Sequence, residues 1–66
     1  MTNNRTVIWS DIDDASRREV YRFLRDRATD MRHRGTLLGI ADAFDALANL
    51  LAANDTACAE LLRRGE

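Results

Sequence analysis

The chain has 66 residues, 45% of them apolar, no proline and a formal net charge of −1. A chain of this length forms one domain and buries only about 60% of its unfolded surface, so it usually gains stability from disulfides, a metal or a second subunit. Cys58 and His33 are the only residues of their kinds, which excludes an internal disulfide and a tetrahedral Cys/His metal site. We therefore predict a single helical domain, residues 1–66, that self-associates.

The N-terminal residues 1–10 are predicted to form a flexible or extended arm. Residues 1–5 are polar, and residues 6–9 are rich in β-branched and aromatic side chains, which favours an extended segment. No apolar run suitable for a signal peptide follows, so we expect a cytoplasmic protein. The longest apolar stretch, residues 37–53, contains Asp42 and Asp45, which argues against a membrane span.

The first helix is predicted to begin between residues 11 and 17. An acidic cluster there suits a helix N-terminus, and Ser16 with Glu19 fits a capping box. Gly35 can supply a left-handed C-cap, and Thr36 can cap the next helix. Because the connection is so short, the two helices should form an antiparallel hairpin. The predicted apolar face of the first helix comprises Val20, Tyr21, Phe23, Leu24, Ala28 and Met31.

The second helix carries a predicted apolar seam with spacings that alternate between three and four residues, as in helices that pack along their length. Asn54 leaves two possibilities open. A continuous helix would place its amide in the seam, whereas a break would let Asp55 or Thr56 cap a short third helix. In either case we predict an all-α homodimeric bundle, because one partner helix cannot cover so much apolar surface. The predicted self-association residues are Leu37, Ile40, Phe44, Leu47, Leu51, Asn54, Cys58 and Leu61.

The first helix is also rich in arginine, with seven arginines against three acids between residues 17 and 34. These guanidinium groups could contact an acidic protein or a phosphate backbone. They could equally form a solvated face with intrahelical pairs such as Arg22 with Asp26 and Asp30 with Arg34. The predicted contact residues for a protein or nucleic acid are Arg18, Arg22, Arg25, Arg32 and Trp9.

No pattern in the sequence indicates catalysis, a cofactor or a metal. The cluster Asp11, Asp13 and Asp14 begins like a calcium loop, but Ser16 replaces the required glycine and Arg22 the bidentate acid. His33 has no neighbouring nucleophile or ligand set, and Cys58 is interpreted as a small core residue. We therefore expect a protein that is not an enzyme.

The function predicted from the sequence is that of a small interaction or regulatory module. It would self-associate through the seam and contact a larger protein through its Arg-rich helix or N-terminal arm. The alternative is a dimeric nucleic-acid-binding regulator. A strand followed by two helices is the element order of ribbon-helix-helix proteins, whose paired strands enter the DNA major groove.

Overall fold

A computed structural model describes residues 6–66 and confirms the all-α prediction. A 3₁₀ turn at Trp9–Asp11 precedes three packed helices, α1 (Asp14–Arg34), α2 (Leu38–Asn54) and α3 (Thr56–Arg63). The described part of the chain forms no strand. Ile8 has extended backbone angles, but the predicted extended segment ends in the 3₁₀ turn. Residues 1–5 of the predicted arm lie outside the described residues.

α1 begins within the predicted window, and its acidic N-cap is Asp13. The Asp13 carboxylate accepts hydrogen bonds from the Ser16 backbone N–H at 3.1 Å and the Ser16 hydroxyl at 2.8 Å. Hydrogen bonding from the Ser16 side chain, and then from its backbone, holds the pKa of Asp13 below its usual value. At the other end Gly35 has φ 69° and ψ 29°, which confirms the left-handed C-cap.

The prediction that Thr36 caps α2 is wrong by one position. Leu37 is the flanking residue, with φ 52° and no side-chain cap, and its carbonyl accepts the first helical hydrogen bond, from the Ala41 N–H at 2.9 Å. Thr36 thus lies one residue too early to reach the orphan N–H groups of α2. Leu37 adopts a left-handed conformation that is sterically unfavourable for a residue with a Cβ atom.

The chain breaks between α2 and α3 rather than continuing as one helix. Asp55 is extended at φ −142°, and its carboxylate accepts a hydrogen bond from the Ala57 N–H at 2.9 Å. Asn54 remains helical, and its side-chain amide donates to the Leu50 carbonyl at 2.9 Å. Asp55, one of the two residues considered as the cap, therefore starts the short third helix.

The core contains few large side chains. One cluster joins Tyr21, Ala48, Ala52, Cys58 and Leu61, and a second joins Ala28, Met31 and Ala41. Within residues 6–66, five of the nine buried residues are alanines. α2 buries Ala41, Ala48 and Ala52, whereas its larger side chains Leu38, Ile40, Leu47 and Leu50 remain exposed. None of the helices in residues 6–66 is long and apolar enough to cross a membrane.

Candidate interaction surfaces

The structure divides the predicted seam between the core and the surface. Cys58 and Leu61 on α3 are buried, and Phe44 and Leu51 on α2 are partly buried against the two core clusters. The remaining members are exposed, namely Leu37, Ile40, Leu47 and Asn54. The seam splits because the buried side of α2 is formed by Ala41, Ala48 and Ala52. This side is rotated by about a quarter of a turn around the helix axis from the centre of the seam.

The outward side of α2 has its own regular pattern, with spacings of three, four, three and four residues. We call this surface the α2 stripe, and it consists of Ile40, Ala43, Leu47, Leu50 and Asn54. With 3.6 residues per turn, these positions fall within about 80° of the helix circumference. The exposed fractions of its large members are 46% for Ile40, 48% for Leu47 and 58% for Leu50. The stripe is therefore narrow, apolar and uncharged.

The acidic residues of α2 lie away from this stripe and bind arginines of α1. Arg25 donates hydrogen bonds to Asp45 at 2.9 Å and to Asn49 at 2.7 Å. Arg32 donates to Asp42 at 2.7 Å and also contacts Asp45. Burial of Asp45 opposes its ionisation, but hydrogen bonds from Arg32 and Arg25 outweigh this, so its pKa lies below the usual value. Two predicted contact arginines thus connect α1 to α2.

Arg22 and Arg18, the other two contact arginines, differ in their environments. Arg22 forms ion pairs with Glu19 at 3.1 Å and with Glu66 at 3.0 Å. Arg18 is partly buried and forms no ion pair with any residue between 6 and 66. It lines shallow depressions between α1 and α3, one of them shared with Arg63. Arg18 is therefore available to an external anionic group.

Trp9 is anchored rather than free, because its indole takes part in a polar cluster with Arg17 and Asp55. Its Nε1 donates to Asp55 Oδ2 at 2.9 Å, and Arg17 Nε donates to the same oxygen at 2.6 Å. The Asp55 side chain is only 6% exposed, and that of Arg17 14%. Burial opposes ionisation of Asp55, but hydrogen bonds from Arg17 and Trp9 outweigh it and lower the pKa. Sequence reasoning missed this cluster because its members lie up to 46 positions apart.

The anchored tryptophan positions an apolar segment at the surface. Val7 and Ile8 precede Trp9 directly, and they are 66% and 55% exposed. Arg17 also donates to the carbonyl of Ile12 on the other side of the 3₁₀ turn. Hydrogen bonds therefore fix both ends of the 3₁₀ turn. Val7 and Ile8 are thereby attached to a fixed position on the protein surface.

The single cysteine of the chain lies in the core, and the single histidine lies at the surface. Cys58 is fully buried, and burial raises the pKa of its thiol. His33 is exposed at the end of α1. Within residues 6–66 there is no group of three or more metal-ligating side chains. No family model matches the chain, and no curated protein or solved structure shows significant similarity to it.

Proposed function

We propose that this protein is a small, non-enzymatic interaction or regulatory module of the cytoplasm that acts as a homodimer and contacts a larger protein. The observation that carries the proposal is the α2 stripe. Its large apolar side chains are exposed while alanines make up most of the core of residues 6–66, and a chain of this length has a small core with which to stabilise itself. A second subunit would cover the stripe and add the apolar contact that the single chain lacks.

Within each subunit we propose that α1 and α2 form an antiparallel hairpin. Two sets of contacts support this arrangement. Tyr21, near the start of α1, shares a cluster with Ala48 and Ala52 near the end of α2. Met31, near the end of α1, shares one with Ala41 near the start of α2. Residue numbers therefore rise along one helix as they fall along the other.

The contact with a larger partner is proposed to involve Arg18 and the segment held by Trp9. Asp14 and Glu60 line the same depression as Arg18 but pair with Arg17 and Arg64, so an acidic side chain of a partner can bind Arg18 without breaking an ion pair within residues 6–66. Val7 and Ile8 offer exposed apolar contacts in the segment that Trp9 anchors. Such a pairing of an apolar contact with a charged group is typical of protein interfaces.

Nucleic-acid binding has weaker support. Arg22, Arg25 and Arg32 already bind acidic residues of the same chain, so they would have to give up those partners to bind phosphates. The ribbon-helix-helix alternative requires a strand before the first helix, and the described residues contain a 3₁₀ turn there instead.

A capture experiment with the full chain tests the partner contact. Wild type and an Arg18→Glu variant are used as baits in lysate of the native host, with Thr29→Glu, at an exposed α1 position, as the matched acidic control. We expect a protein that is retained by wild type and Thr29→Glu and lost with Arg18→Glu. Equal retention by all three baits would contradict a contact at Arg18. Recovery of DNA or RNA that falls steeply with salt would instead favour the nucleic-acid alternative.

A further inference from the structure

We infer that two copies pair through their α2 stripes with the two helices antiparallel. Ile40 of each copy then lies opposite Leu50 of the other, and Ala43 lies opposite Leu47. This inference rests on the proposed self-association and adds the surface, the orientation and the register. The occupant is a second copy of this chain.

The spacing of the stripe supports helix-on-helix packing. Side chains that recur every three and four residues form the narrow contact line along which two helices pack for their whole length. The stripe is free of charge, so two copies can approach without burying a charged side chain. An uncharged surface is complementary to itself, whereas a strongly charged partner would find no opposite charge there.

The register follows from the size of the side chains and the length of α2. In the antiparallel register each large side chain meets either a large one at the ends, Ile40 with Leu50, or a small one at the centre, Leu47 with Ala43. The symmetry axis then crosses the stripe at the level of residue 45 along the helix, close to the middle of the 17-residue α2. The two helices therefore overlap along almost their whole length. A parallel pair would place Ala43 against Ala43 and leave a gap between the larger layers.

The position of Asn54 also favours the antiparallel orientation. The Asn54 amide already donates to the Leu50 carbonyl, and in this register Asn54 lies beyond the paired layers. The only polar residue of the stripe therefore stays outside the contact between the large apolar side chains.

Variants of the full chain that each add one cysteine to the buried Cys58 test the orientation. Ile40→Cys and Leu50→Cys are oxidised separately and as an equimolar mixture, and covalent dimers are measured by non-reducing electrophoresis. Thr29→Cys, at an exposed α1 position, measures random collision, and wild type controls for the buried Cys58. In the proposed pair the two copies of residue 40 lie about 15 Å apart along the axis, and cysteines whose Cα atoms are more than about 7 Å apart do not bridge.

We expect a covalent dimer from the mixture, and none above the Thr29→Cys control from Ile40→Cys or Leu50→Cys alone. Efficient dimerisation of Ile40→Cys alone would overturn the inference in favour of a parallel pair. No product from the mixture, while sedimentation still shows a dimer, would also overturn it but leave the proposed self-association intact. A wild-type monomer in sedimentation at high concentration would contradict both.

Discussion

The most informative single substitution is Asp55→Ala, because this carboxylate connects three parts of the chain. It caps α3 through the Ala57 N–H and accepts hydrogen bonds from Trp9 and Arg17. Losing an N-cap costs about 1 kcal/mol, and a hydrogen bond to a charged group contributes about 1.5–3 kcal/mol. For the cap and the two hydrogen bonds together, the expected loss of unfolding free energy is therefore about 4–7 kcal/mol, which is most of the total of about 3–10 kcal/mol for a chain of this size.

Urea unfolding followed by circular dichroism measures this loss, and fluorescence of Trp9, the only tryptophan, reports whether the 3₁₀ turn is released. All samples are kept at one protein concentration because association shifts the midpoint. The matched control is Asp42→Ala, a carboxylate that is 76% exposed in its ion pair with Arg32, where a loss below about 1 kcal/mol is expected. Equal losses for the two variants, with unchanged Trp9 emission, would refute the role assigned to Asp55.

Three further predictions concern the backbone, acid stability and the thiol. Gly35→Ala should destabilise by about 1–2 kcal/mol because Gly35 has a left-handed backbone; no heavy atom lies within 4 Å of a Cβ placed there, so the loss comes from the backbone alone. Leu37→Gly should stabilise by about 0.5–1 kcal/mol by relieving the same backbone strain. Urea midpoints that shift in the same direction for both variants would contradict this reasoning. Asp45 and Asp55 have pKa values below their usual 3.8 in the folded chain. As the pH falls, these carboxylates are therefore protonated at a higher pH in the unfolded chain than in the folded chain, and protonation favours unfolding. Stability should be constant above about pH 5 and fall below pH 4; urea midpoints unchanged down to pH 3 would contradict it. Cys58, buried and with a raised pKa, should react with a disulfide reagent only as fast as the chain unfolds; rapid labelling of the native protein at pH 8 would argue against its burial.

Local signals in the sequence locate both ends of α1 correctly. The acidic cluster before α1 and Gly35 after it act over one turn of helix, so the residues themselves reveal the caps. The sequence leaves open whether the helix breaks after Asn54, because Asn and Asp tolerate both a helix interior and a cap. The sequence does not reveal the left-handed Leu37, since a leucine gives no local signal for that conformation.

The interaction surface was harder to predict because it depends on the rotation of α2. Periodicity revealed that α2 is apolar on several sides, but not which side faces α1. Small alanines allow a close approach, so they occupy the core while Ile40, Leu47 and Leu50 remain outside. The arginines show the same dependence on tertiary contacts. Of the two intrahelical pairs considered, Asp30 with Arg34 forms at 3.2 Å, whereas Arg22 binds Glu19 and Glu66 instead of Asp26.

The measurement that tests the self-association most directly is sedimentation equilibrium of the wild-type chain at high micromolar concentration, beside a Leu47→Glu variant. We expect a wild-type mass of twice the 7.5 kDa chain mass, little affected by salt because the stripe is uncharged. Leu47→Glu should sediment as a helical monomer, since the stripe would then bury an unpaired charge. A compact, folded wild-type species of 7.5 kDa at all concentrations would contradict the account.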